Sequence, residues 1–142
     1  MKISARNVFD GTVEAVKPGA INSEVDIALP GGMKIVATVT NDSITELGLT
    51  AGKAVKALIK ASSVLVLADG SGVKLSARNR LEGTISGLIE GPVSTEVAIT
   101  LPNGYKVYAT ITHEASVALG LKPGLPATAV FKAPSVILGV SA

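Results

Sequence analysis

The chain is written twice. Residues 2–9, KISARNVF, return as residues 74–81, KLSARNRL, and adding 72 to a residue number carries one half onto the other with no insertion or deletion. Ser4, Arg6, Asn7, Gly11 and Thr12 fall on Ser76, Arg78, Asn79, Gly83 and Thr84. Leu29-Pro30 meets Leu101-Pro102, Leu47-Gly48-Leu49 meets Leu119-Gly120-Leu121, and Lys60-Ala61 meets Lys132-Ala133. Roughly 26 of about 67 aligned positions are identical, too many for chance in an ungapped self-alignment. Two copies are too few for a solenoid, and the period is that of a small domain. The expected division is a first domain at 1–69, a second at 73–142 and a short polar linker at 70–72.

Composition says how such halves must hold together. Apolar residues make up 47% of the chain and charged residues 17%, the balance of a folded protein. With two Tyr, two Phe and no Trp, the cores must be built from Val, Ile, Leu and Ala. A half of about 70 residues has a marginal core on its own. The absence of cysteine removes disulfides and thiolate metal sites. Docking or association is the remaining way to bury enough surface. The first ten residues carry Arg6 and Asp10 rather than an apolar run, and no stretch has the length of a membrane span. The expectation is a soluble cytoplasmic protein.

The alternation of Val25, Ile27 and Leu29 with Glu24, Asp26 and Ala28 predicts a half-buried strand. Pro30-Gly31-Gly32, and Pro102-Asn103-Gly104 in the second half, predict turns. Ile35, Ala37 and Val39 predict the inner face of a further strand, and Val55, Ala57 and Ile59 another, with Lys56 and Lys60 opposite. Ser63 to Leu67 reads as a short buried strand. Thr40 to Gly48 opens on capping residues and closes on glycine, as a two-turn helix does, and Thr112 to Gly120 is its counterpart. Strand, strand, strand, short helix, strand, strand is the order of an OB-type barrel. The predicted class is all-β with short helices, as two tandem OB-like five-stranded β-barrels.

The repeated polar residues suggest what such barrels bind. Ser4 and Arg6 are two apart, which on a strand places them on one face. Lys60 ends another strand, and Thr40 and Ser43 sit at a helix start, where backbone N–H groups favour an anion. Guanidinium, ammonium and hydroxyl donors with no carboxylate among them suit a tetrahedral dianion. Each residue taken alone is equally a cap or a solvated charge. Their recurrence in both halves is what raises the anion reading. The net charge of +2 and the scarcity of aromatics count against a long nucleic-acid ligand.

With these residues in view, the chain resembles the molbindins, small cytoplasmic molybdate-binding proteins, in their form with tandem Mop (TOBE-like) domains. The resemblance rests on SARN at 4–7 and 76–79, GAINSEV at 19–25, TNDS at 40–43, LGLTAGK at 47–53 and LIKASSV at 58–64, and it covers essentially the whole chain. It implies binding of molybdate and tungstate, molybdenum storage or homeostasis, no other cofactor, and a trimer of six barrels with shared sites.

The resemblance also implies site residues. One class of site takes Ser4, Arg6, Thr40, Ser43, Lys60 and Ala61, drawn from more than one barrel, with Ser76, Arg78, Thr112, Lys132 and Ala133 as the second-half matches. Ser43 is matched by Ala115, which leaves second-half sites one hydroxyl poorer. A second class lies where three equivalent loops meet and takes Asn22 and Ser23, with Ser94 and Thr95 in the second half, where Pro92 also removes a backbone N–H.

Enzyme readings lack residues. His113 is the only histidine and has no nucleophile at a suggestive spacing; Glu24 and Glu96 read as polar faces of strands; residues 70–74 lack the spacing of a phosphate loop. No cluster of metal ligands stands out, so the expectation is a non-enzymatic binder without a bound metal cation. The alternatives are a molybdate-sensing module acting on a regulator or transporter partner, and an OB-type nucleic-acid binder.

Overall fold

The computed structural model describes residues 1–70 and 72–142, so the centre of the expected linker, Ser71, lies outside the described residues. The first repeat forms β1 (Asn7–Lys17), β2 (Asn22–Ala28), β3 (Lys34–Thr40), α1 (Asn41–Leu47), β4 (Ala54–Ile59) and β5 (Leu65–Leu67). The second forms β6 (Asn79–Glu90), β7 (Ser94–Thr100), β8 (Lys106–Thr112), α2 (His113–Ala118), β9 (Pro126–Phe131) and β10 (Ile137–Gly139). The expected order of strands and helix holds in both repeats, and the class is mostly β with two five-stranded sheets.

The local chemistry explains the elements. Val25, Ile27, Ile35, Ala37 and Ala57 are fully buried, and Val97, Ile99, Val107 and Ala129 repeat them in the second sheet. Each such branched side chain contributes about 1.5–3 kcal/mol of burial, so aliphatic residues replace the missing aromatics. Both long strands carry a bulge at the same place, between Val13 and Ala15 and between Ile85 and Gly87, which bends them around the core. Gly11 lies against the neighbouring strand so closely that a Cβ there would meet Ala28 O at 2.8 Å, which accounts for the repeated Gly-Thr. Thr40 caps α1, its Oγ1 accepting from Ser43 N, and Gly48 ends it in the left-handed region with φ of 62°.

The two repeats exchange their last strands. The sheet orders are β10-β4-β1-β2-β3 and β5-β9-β6-β7-β8, all antiparallel. Ile137 pairs with Leu58 and Leu138 with Ala57, while Leu65 pairs with Val130 and Leu67 with Thr128. One compact unit is therefore Met1–Ile59 with Lys132–Ala142, and the other is Lys60–Phe131. The sequence repeats are consecutive, but the units interleave. In each unit the exchanged strand also lies against the far edge, β10 on β3 and β5 on β8, which curls the sheet toward closure.

Two local expectations are corrected. Ser4 and Arg6 do not sit on a strand: β1 begins at Asn7 and both lie in bends before it, so alternation does not fix their facing. Ser63 to Leu67 is not a buried strand either. Only Leu65–Leu67 pairs, as the edge of its sheet, and Leu65 is 65% exposed.

Candidate functional site

The exchange decides which of the expected donors share a unit. In the first unit Thr40 and Ser43, at the junction of β3 and α1, stand with Lys132 and Ala133 rather than with Lys60 and Ala61. A 3₁₀ turn at Ala133–Ser135 packs on β3, and the corresponding turn at Ala61–Ser63 packs on β8 in the second unit. Thr112 thus shares its unit with Lys60 and Ala61, and also with Ser76 and Arg78.

An open cleft of about 390 Å³ lies at this junction in the first unit. Asn22, Thr38, Thr40 and Ser43 are its polar lining, and Pro134, Val136 and Leu138 from the exchanged segment line it as well. Thr40 Oγ1 and Ser43 Oγ are 2.9 Å apart, and Thr40 Oγ1 accepts from Ser43 N at 3.2 Å. The helix-start amide of Ser43 is already used as a cap, and one of the two hydroxyls donates to the other, so the pair keeps one hydroxyl hydrogen to offer a ligand. Ser4, Arg6, Lys60 and Lys132 are not among its lining residues. The cleft of a single unit holds neutral donors without a charge.

The charged members stand at the strand exits. Asn7 pairs with Ile59 at the end of β1 and β4, with Arg6 before the first and Lys60 after the second. Asn79 pairs with Phe131 in the same way, flanked by Arg78 and Lys132. Lys56, by contrast, is held by Asp10 at 2.5 Å, and Lys17 and Lys34 lie within 3.8 Å of the buried Asp26. Among the described residues Lys60 and Lys132 form no ion pair.

The second expected group lies not in a loop but on the first two residues of β2 and of β7. Asn22 and Ser94 are exposed, whereas Ser23 and Thr95 are buried. Ser23 Oγ donates to Asn41 Oδ1 at 2.5 Å, Asn41 Nδ2 donates to Gly19 O at 2.9 Å, and Asn41 N donates to Ile21 O at 2.9 Å. Asn41 therefore fastens the loop to the helix, a role that sequence reading missed. Its one signal was its place inside TNDS, beside the cap. In the second unit His113 takes that position, and both Thr95 Oγ1 and His113 Nδ1 are buried without a hydrogen-bond partner. Only the backbone bond from His113 N to Val93 O is kept.

A family model for the TOBE domain matches residues 3–66 and again residues 75–138. The chain belongs to the TOBE family, with two TOBE domains in tandem as in the molbindins. It is 47% identical over 140 residues to the molybdenum-pterin-binding protein MopA of Rhodobacter capsulatus, covering 99% of this chain and 53% of that protein. It is 44% identical to the molybdenum transport protein ModE of Herbaspirillum seropedicae, covering 99% of this chain and 52% of that one. The chain thus spans about half the length of the curated relatives it matches. Among solved structures, the cytoplasmic molybdate-binding protein ModG with molybdate bound superposes with a TM-score of 0.97 at 54% identity, covering 99% of this chain and 100% of that one. Among the described residues no helix is long and apolar enough to cross a membrane.

Proposed function

We propose that this chain binds molybdate, and tungstate in the same sites, as a cytoplasmic molybdenum store or buffer without enzymatic activity. The observation that carries this reading is the molybdate-bound ModG structure, which matches this chain from end to end at 54% identity. The donor inventory agrees with it. Arg and Lys supply charge, Thr and Ser supply adjustable hydroxyls, and the cleft rim presents no carboxylate to repel a dianion. Ser4, Arg6, Thr40, Ser43, Lys60 and Ala61, with Ser76, Arg78, Thr112, Lys132 and Ala133, make the first class of site. Asn22, Ser23, Ser94 and Thr95 make the second.

The sites are completed by association into a trimer of six barrels. The cleft lacks charge within one unit, and several of the large apolar residues left exposed recur at matching positions in the two repeats. Ile21 and Val93 are 76% and 77% exposed, and Leu65 and Ile137 are 65% and 60% exposed. Such repeated apolar exposure fits surfaces that meet other copies.

A sensing module acting on a regulator partner is the second reading. The 44% identity to ModE, over nearly all of this chain but about half of that protein, favours it. Side-by-side binding of molybdate, tungstate, sulfate, phosphate and an oligonucleotide tests both. Retention of the first two alone is expected, and retention of the oligonucleotide would replace this reading with a nucleic-acid one.

A further inference from the structure

The exchange of strands changes what the loss of a hydroxyl at Ala115 means. In the first unit Ser43 of the helix and Pro134 of the exchanged turn line the same cleft. Ser43 contributes a hydroxyl, whereas Pro134 contributes neither a side-chain donor nor a backbone N–H. The second unit packs the same elements in the same way, the turn at Ala61–Ser63 against β8. There the position of Ser43 is taken by Ala115 and that of Pro134 by Ser62. Ser62 is exposed, and among the described residues its hydroxyl makes no hydrogen bond. Thr112 Oγ1 accepts from Ala115 N at 3.1 Å, so the cap is kept while the neighbouring hydroxyl of the first unit is gone.

We infer that Ser62 is a binding residue of the second unit, donating to the bound oxyanion from the turn in place of the hydroxyl that Ala115 lacks. Each unit then offers one such hydroxyl, on the helix side in the first and on the turn side in the second. Within one sequence repeat the two changes look unrelated, since Ser62 belongs to the first copy and Ala115 to the second. Only the exchange puts them in one unit. The inference rests on the oxyanion reading of this cleft.

Calorimetric titration of the full chain with molybdate tests it, using Ser62→Ala, the double variant Ser62→Ala/Ala115→Ser, and Ser43→Ala as a marker of the first unit. Ser62→Ala is expected to weaken one class of sites roughly tenfold or more, the effect of losing a hydroxyl donor to a charged ligand. The melting temperature of the ligand-free protein should stay unchanged, because the side chain is exposed and makes no hydrogen bond. The double variant should recover most of the loss. If Ser43→Ala weakens binding while Ser62→Ala leaves the isotherm unmoved, Ser62 is no ligand and the cleft reading survives. If neither substitution moves it, the cleft itself is not the site.

Discussion

Ser23 Oγ donates to Asn41 Oδ1 at 2.5 Å, and through this bond the start of β2 is tied to the first residue of α1. The same amide reaches Gly19 O at 2.9 Å. Asn41→Ala removes both bonds and strands the buried Ser23 hydroxyl, at a cost of about 1–3 kcal/mol. Denaturant unfolding should show that loss, together with faster amide exchange in residues 19–23. An unchanged midpoint would mean that the loop is held by its backbone alone.

The second unit predicts the opposite sign. Thr95 Oγ1 is buried with no partner, so Thr95→Val removes an unsatisfied polar atom without removing a bond. The ligand-free protein should gain about 1 kcal/mol, whereas Ser23→Ala should lose a similar amount. A destabilised Thr95→Val protein would show that its hydroxyl has a partner in solution.

Deleting residues 136–142 probes the exchange directly. β10 pairs with β4 over Lys56–Leu58, so the β4 amides that point toward β10 should lose protection from hydrogen exchange, while those pointing toward β1 and the amides of β9 keep theirs. Loss of protection in β9 with β4 unchanged would place the last strand beside its own repeat.

That exchange marks the limit of what the sequence made legible. The period of 72, the alternation in β2 and β3 and the caps at Thr40 and Gly48 are local signals, and the sheets and helices follow them. Which of β4 and β9 receives which final strand is not local. Lys60 and Lys132 leave their sheets through near-identical segments, so either pairing would satisfy the same apolar pattern at Leu65 or Ile137. The candidate site divides along the same line. Thr40, Ser43 and Asn22 meet on one rim as their register requires, Asn22 opposite Thr40. They share the cleft with Pro134 rather than Ser62, and that depends on Ile137 pairing with Leu58, 79 residues away in the chain. Ser4 and Arg6 precede the first strand pair, where no periodicity constrains their direction.

Assembly is the next expectation. With Ile21, Val93, Leu65 and Ile137 exposed at matching places, sedimentation equilibrium should give a trimer at micromolar concentration. A stable monomer would leave the cleft without the charges that the proposed site requires.

The most direct test of the account is a molybdate titration of the Arg6→Ala/Arg78→Ala protein beside the unaltered chain. Both arginines are exposed before the first pair of their strands, so the fold should persist. Losing a charge-assisted donor costs about 1.5–3 kcal/mol, and the sites should weaken roughly ten- to a hundredfold. Unchanged affinity and stoichiometry would contradict the claim that the repeated donors of this chain hold the oxyanion.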